Sequence, residues 1–505
     1  MRSRTLPASL LLCSFLFSIP LYGQMQPQRP LSDVIDGLLE APRYQNAIWT
    51  AKVVNLRTGE TIYSRHAGIS MLPASNGKLY TAAAVLDQLG PDYTYTTNVY
   101  TDGELANGML DGNLYIRGVG DPAIGGHLYY DRDHTADPTT VLRAWAVELR
   151  ERGVRAISGN IIGDDNLFED TRLGIGWSWD DEPYYYSAEI SALTFNDNSI
   201  DLVLQGLRQG EPVTMHWLPF NTDYASIENA TITLPAGHRK DNEVARAQGK
   251  NSFLIESEIP LGVVDTVSVA IVNPTLYFAT IFRDVLEQEG IEVAGEPQDL
   301  DDLDTTLDYT QLHSVLTHES PPLSELVWYL NKESQNLYAE LMVRTLGVER
   351  PVLWDEDLEV GTTDMGLAAA MRTFHRAGID TTLVHLVDGS GLSRMDLVTA
   401  NMTSALLAYM WNHPDSAVRR AFVDSLPVGG VDGTLDRRFR RGLGRRNVRA
   451  KTGTLTGVSS LSGYVKNTAG DPISFVLMVN NHTHKASIVQ RTQDAVVNLL
   501  AESGR

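Results

Sequence analysis

The chain has 505 residues, 43% hydrophobic and 21% charged, which is enough apolar side chain for two or three packed domains and argues against wholesale disorder. Acidic residues outnumber basic ones 63 to 41, and the resulting net charge of −22 excludes a protein that grips a nucleic-acid backbone by charge. A single cysteine excludes internal disulfides and cysteine-based zinc sites together.

The first residues, Met1-Arg2-Ser3-Arg4, precede an apolar run from Leu10 to Leu21 and then Tyr22-Gly23-Gln24. Two arginines ahead of a short apolar stretch predict a secretory signal peptide over residues 1–23, with Cys13 inside the discarded part. The run is shorter than the roughly 20 residues that a membrane span needs. The expectation is an exported, periplasmic protein with no stable membrane span once the signal is cleaved.

Residues 31–41 read as a short amphipathic helix. Two β-like runs, Ala47–Leu56 and Thr61–Arg65, flank the turn Arg57-Thr58-Gly59-Glu60. A helix is expected from about Ser75 to Leu89, stopped by Gly90-Pro91. Residues 98–279 change texture: short apolar runs alternate with Gly, Asp and Asn turns around one helical piece, Val141–Arg152. Helices then return at Phe278–Glu289, Leu323–Leu330, Leu337–Leu346, Gly366–Ala377 and Ala400–Trp411. The acidic stretch Gln298–Asp308 reads as a solvated loop. The chain closes with the strand pair Val458–Val465 and Ile473–Asn480 and a helix over Lys485–Leu500. This order predicts an α+β fold in which one antiparallel sheet draws strands from both halves of the chain. Its domain would comprise residues 31–97 and 280–505, interrupted by a β-rich insertion of one or two smaller domains over 98–279.

Three short motifs carry chemistry. Ser75-Asn76-Gly77-Lys78 sets a hydroxyl and an amine three residues apart at a helix start, so both leave one face. Serine is a weak nucleophile without a base, and lysine serves as one when desolvation or a second cation lowers its pKa. The helix N-terminus adds free N–H groups suited to an oxyanion. Only eight residues of the chain are lysine, and only Lys78 has a serine three positions before it. Ser334-Gln335-Asn336 lies between two helical segments, and Lys451-Thr452-Gly453-Thr454 heads the closing strand pair. A lysine and a threonine at a strand start can clamp a carboxylate, and the glycine admits a substrate backbone.

Taken in this order, Ser-x-x-Lys, Ser-x-Asn and Lys-Thr-Gly resemble the motif set of penicillin-binding proteins and serine β-lactamases. The long interval between Ser75 and Ser334 resembles, within that group, the penicillin-binding protein 4 type of D-alanyl-D-alanine carboxypeptidase/endopeptidase. Leu72-Pro73-Ala74-Ser75, Asn336-Leu337-Tyr338-Ala339-Glu340, Asp388–Arg394 and Gly118-Val119-Gly120-Asp121-Pro122 agree with it. The resemblance implies a transpeptidase/β-lactamase-like domain and an acyl-enzyme on Ser75, with Lys78 as base and Ser334 as proton relay near Asn336. Lys451 and Thr452 would hold the substrate carboxylate. The N–H groups of Ser75 and Thr454 would form the oxyanion hole beside Gly453. The implied partners are peptidoglycan stem peptides and β-lactam antibiotics, and no metal or other cofactor is needed. It further implies that Asp164, with Asp165 as competitor, and Arg394 bind the free end of a diaminopimelate side chain, with Leu455 lining the same place. Asp180-Asp181-Glu182 lacks any EF-hand spacing, so no calcium site is expected there. The alternatives are a β-lactamase, although the helical Glu-x-x-Leu-Asn pattern of class A enzymes is not found here, and a non-catalytic wall-binding protein on the same fold.

Overall fold

Strands far apart in sequence meet in one sheet. In the computed structural model, which describes residues 29–127, 137–352 and 359–504, a five-stranded antiparallel sheet runs in the order Thr61–Arg65, Ile48–Asn55, Pro472–Asn480, Val458–Lys466, Arg449–Leu455. The expected signal peptide lies outside the described residues. Among those residues, no helix is long and apolar enough to cross a membrane.

Alternation along the central strand explains why both faces of the sheet are covered. Ile473, Phe475, Leu477 and Val479 point to one side, where they pack with Ile35 and Leu39 of the helix Leu31–Leu39 and with Val496 and Leu500 of the helix Ala486–Glu502. Val476 and Met478 point to the other side, into a core shared with Leu79, Leu326, Met342 and Leu406. Each such side chain, fully removed from water, contributes about 2 kcal/mol. This second core is built by the helices Gly77–Leu89, Leu323–Glu333, Asn336–Glu349, Thr363–Arg376 and Ala400–Trp411. A further helix, Ser416–Ser425, was not expected from the sequence. It is short, buries Val418 and Phe422, and is capped by Asp415, whose carboxylate accepts from Ala417 N at 2.7 Å.

Between the two sequence-distant parts of this sheet lies a second set of sheets. A five-stranded sheet has the order Pro297–Asp299, Ile161–Asp164, Leu114–Arg117, Thr96–Thr101, His313–Glu319, backed by the helices Thr140–Glu151 and Pro274–Gln288. A three-stranded sheet centres on Ser199–Gln205, between Thr214–Leu218 and Val264–Ala270. Strand pairing thus continues past residue 279, the expected end of the insertion, because His313–Glu319 pairs with Thr96–Thr101. The acidic stretch beginning at Gln298 is likewise not all solvated loop. Its start lies in a strand paired with Ile161–Asp164, and Asp299 is 1% exposed.

Candidate active site

Ser75 sits in a single 3-10 turn, Ala74–Asn76, that runs straight into the helix Gly77–Leu89. The turn is held on both sides. Asn76 Nδ2 donates to Lys451 O at 3.0 Å, and Ser460 Oγ donates to Pro73 O at 2.6 Å, which ties the Ser75 turn to the edge strand and its neighbour. The approach is close enough to require glycine at 453. A Cβ there would lie 2.2 Å from Ser460 Oγ, 2.8 Å from Pro73 O and 2.9 Å from Ser75 N. Ala74 has φ 49°, a left-handed conformation that costs a non-glycine residue about 1 kcal/mol and that persists here just before Ser75.

Lys78 lies one turn further on, fully buried, with its ammonium 3.2 Å from Ser75 Oγ. It also donates to Asn336 Oδ1 and, at 2.9 Å, to the carbonyl of Ser390. Burial pushes its pKa down to about 8, against the opposing pull of Asp388, Glu340 and Asp396. Desolvation, more than a neighbouring cation, is therefore what favours the neutral amine. Across the cleft Lys451, also fully buried, donates to Ser334 Oγ at 2.7 Å. Burial and then the Lys78 charge hold its pKa well below the ordinary lysine value. Ser334 ends the helix Leu323–Glu333 in a left-handed conformation, φ 63°, and Asn336 opens the next helix. Asn336 Nδ2 donates to Tyr186 O at 2.6 Å. The three motifs are brought together as expected from their chemistry, although their sequence positions span most of the chain.

A third strut was not foreseen as such. The loop that offers Ser390 O to Lys78 is organised by two carboxylates. Glu340 accepts from Gly389 N at 2.9 Å and Ser390 N at 2.8 Å. Asp388 accepts from Gly391 N at 2.7 Å, Ser393 N at 2.6 Å and Trp177 Nε1 at 2.9 Å. Burial and Asp388 push Glu340 up to about 7. One signal was legible: Glu340 follows Asn336 by four residues and so shares its helix face.

The cleft in front of Ser75 has a volume of about 480 Å³ and is lined by Ser334, Asn336, Thr452, Gly453, Thr454, Leu455 and Arg394 among others. Thr452 Oγ1 is 2.9 Å from Thr434 Oγ1, and Arg394 is exposed with Nη1 3.4 Å from Thr456 O. Thr452 to Leu455 lie on the edge strand of the sheet, which leaves backbone N–H groups free of a neighbouring strand. Asp164 is not part of this cleft. It lines a separate hollow with Arg117 and Tyr309, where its carboxylate accepts from Tyr309 Oη and, at 2.9 Å, from Asn166 N. Asp165 is spent on Ser191 Oγ at 2.9 Å and Thr275 Oγ1 at 2.6 Å. Asp164 is thus occupied in its own hollow, and Asp165 bonds within the insertion through one oxygen while the other, Oδ1, is buried without a hydrogen-bond partner. Two acids line the cleft that also holds Arg394: Glu333, next to Ser334, and, from the insertion, Asp181, which accepts from Tyr186 Oη at 2.9 Å. It gets there because the segment after Gly174 folds over the Asp388–Arg394 loop, with Ser393 Oγ donating to Ile175 O at 2.7 Å.

A family model described as D-Ala-D-Ala carboxypeptidase 3 (S13) matches residues 31–503. The chain belongs to this family. Membership in the D-Ala-D-Ala carboxypeptidase 3 family makes it a peptidase of the D-Ala-D-Ala carboxypeptidase class and of the penicillin-binding protein 4 type. A D-alanyl-D-alanine carboxypeptidase of Actinomadura sp. is 34% identical over 490 residues, covering 94% of this chain and 84% of that protein. The fold is that of penicillin binding protein 4 from Haemophilus influenzae. That crystal structure superposes with a TM-score of 0.75 at 24% identity, over 93% of this chain and 99% of the other. A second crystal structure of the same protein, complexed with a novel β-lactam, gives 0.69 at 22% identity over the same shares.

Proposed function

We propose that this family member cleaves D-Ala-D-Ala-type bonds of peptidoglycan stem peptides through an acyl-enzyme on Ser75, and that β-lactams acylate the same hydroxyl. The observation that carries the reading is the buried Lys78 amine, 3.2 Å from Ser75 Oγ with a pKa lowered to about 8. Such an amine can take the serine proton close to neutral pH. Ser75 Oγ attacks the carbonyl carbon, and its proton passes to Lys78. The developing oxyanion is met by the N–H groups of Ser75 and Thr454. Ser334, held by Lys451, relays a proton to the departing amine, so the C–N bond breaks with the leaving group neutral. Water then attacks the ester carbonyl and restores Ser75. Lys451 and Thr452 receive the terminal carboxylate, and that anion offsets the desolvation that holds the Lys451 pKa down. Carboxypeptidase and endopeptidase cleavage share this chemistry.

Asp181 and Arg394, on opposite charge and in one cleft, suit the amino and carboxylate ends of a zwitterionic side chain such as that of diaminopimelate. Leu455 lines the same cleft. The accompanying domain reading is a transpeptidase-like domain formed by residues before about 97 and after about 320, interrupted by the insertion. Export to the periplasm rests on the N-terminal Arg-plus-apolar pattern.

The test is intact mass of the purified protein after incubation with penicillin, beside Ser75→Ala. A stable adduct on the parent alone is expected, followed by release of D-alanine from a synthetic stem peptide. An adduct retained in Ser75→Ala would remove Ser75 from the reaction.

A further inference from the structure

Gln335, the middle residue of the Ser334-Gln335-Asn336 turn, reaches away from the cleft and into the insertion. Its Nε2 donates to Asp197 Oδ2 at 2.8 Å, while its Oε1 accepts from Leu337 N at 3.3 Å. The same Asp197 oxygen lies 3.1 Å from His127 Nδ1. The other ring nitrogen, Nε2, is 2.8 Å from Asp201 Oδ2. Asp197, Asp201 and Gln335 are buried, and the His127 side chain is 15% exposed. An imidazole between two carboxylates donates from both nitrogens, so it is an imidazolium. Burial opposes that charge, yet Asp201 and Asp197 together hold the pKa well above the ordinary histidine value.

The backbone around Asp197 is conspicuous. Asn196, Asp197 and Asn198 have φ of 50°, 52° and 53°, three consecutive non-glycine residues in the left-handed region. Asn and Asp enter this region more readily than other non-glycine residues, yet as single residues, and a run of three persists only where its surroundings over-determine it. Those surroundings are visible. Asn196 Nδ2 donates to Ser199 O at 3.0 Å and to Asp201 Oδ2 at 3.1 Å, and Asn198 Nδ2 donates to Glu189 O at 2.8 Å. The strained run therefore aims one carboxylate, braced from behind by His127, at the side chain next to Ser334. Ser334 is itself left-handed and is gripped from the opposite side by Lys451.

We propose that His127 and Asp197 are positioning residues for Ser334, acting through Gln335, so that the insertion holds the relay hydroxyl in register with Lys451. The proposal rests on the reading of Ser334 as a proton relay in acyl transfer. The insertion is then a working part of the catalytic centre as well as a wall of the cleft. Because the strap sets the geometry of proton transfer and not of substrate capture, its loss acts on kcat.

The test uses the full chain with Gln335→Leu, His127→Gln and the two combined. The readouts are kcat and KM on a peptide ending in D-Ala-D-Ala, the acylation rate with a fluorescent penicillin, and the thermal melt. Gln335→Leu is expected to lower kcat about tenfold, the loss of one charge-assisted hydrogen bond, with KM within about twofold of the parent. His127→Gln should show the same split, and the double variant should be no slower than the slower single, since both break one chain. Should His127→Gln fail to fold, Gln335→Leu and Asp197→Asn carry the comparison. Parental kcat in Gln335→Leu, whatever its melting temperature, overturns the proposal, as do fully additive losses. A parent that penicillin does not acylate and that releases no D-alanine overturns the function itself.

Discussion

Acylation of Ser75 should accelerate with rising pH through the range in which Lys78 loses its proton. The amine must be neutral to accept the Ser75 proton, and burial, the leading influence on it, lowers its pKa to about 8. Between about pH 7 and about pH 9 the neutral fraction then climbs from roughly one tenth to roughly nine tenths, so the second-order acylation rate should rise roughly tenfold. The same shift is a stability statement. In the unfolded chain the lysine keeps its proton to about 10.4, so between about 8 and about 10 the unfolded state binds more protons than the native one, and stability rises with pH there. The burial penalty, present in full below about 8, is relieved across that window by about 3 kcal/mol. The assay is stopped-flow fluorescence of penicillin binding at constant ionic strength, with circular dichroism at each pH to confirm the native state. A flat or falling profile between about pH 7 and about pH 9 in folded protein would refute Lys78 as the base.

Gly453→Ala should lower the acylation rate by at least about 100-fold, because a displacement of even about 1 Å at the reacting atoms costs that much. Two of the three colliding atoms, Pro73 O and Ser75 N, are backbone and cannot rotate away. Labelling with fluorescent penicillin measures it, and Ser460→Ala should not rescue it. Asp181→Asn should reduce kcat/KM by about tenfold for stem peptides with a zwitterionic side chain and leave substrates with an uncharged one unchanged. Asp164→Asn, in its separate hollow, should alter neither, and the reverse ranking in peptide digestion would return the role to Asp164.

How much of this was legible depended on whether the information was local. Ser75 and Lys78 were readable because their three-residue spacing at a helix start fixes their relation, and Thr363–Arg376 was readable because its apolar spacing repeats within one element. The choice between Asp164 and Asp181 was not. Both are acids of the insertion, and which of them faces the cleft is decided by the fold of the segment after Gly174 over the Asp388–Arg394 loop. Nothing in local periodicity encodes that path. The same holds for Gln335, which looked like a harmless filler inside Ser-x-Asn until Asp197, 138 positions away, proved to be its partner. The acidic stretch after Gln298 misled for a related reason: charge density suggested water, but strand pairing buries Asp299 at its start.

The antiparallel seam between Ile48–Asn55 and Pro472–Asn480 has a consequence for when this enzyme can exist at all. Asn55 Nδ2 donates to Asp471 Oδ2 at 3.0 Å across 416 positions of sequence. A chain emerging from its N-terminus can fold the insertion, whose contacts are nearer in sequence, long before that seam can close. The Ser75 turn is tied to Lys451 and Ser460, so it too waits for late-arriving strands. Until then the serine's turn and the lysine's helix adjoin but lack the second lysine, the edge strand and the cleft. The site is therefore assembled only when the C-terminal strands arrive, and a chain without them carries Ser75 and Lys78 with no cleft around them.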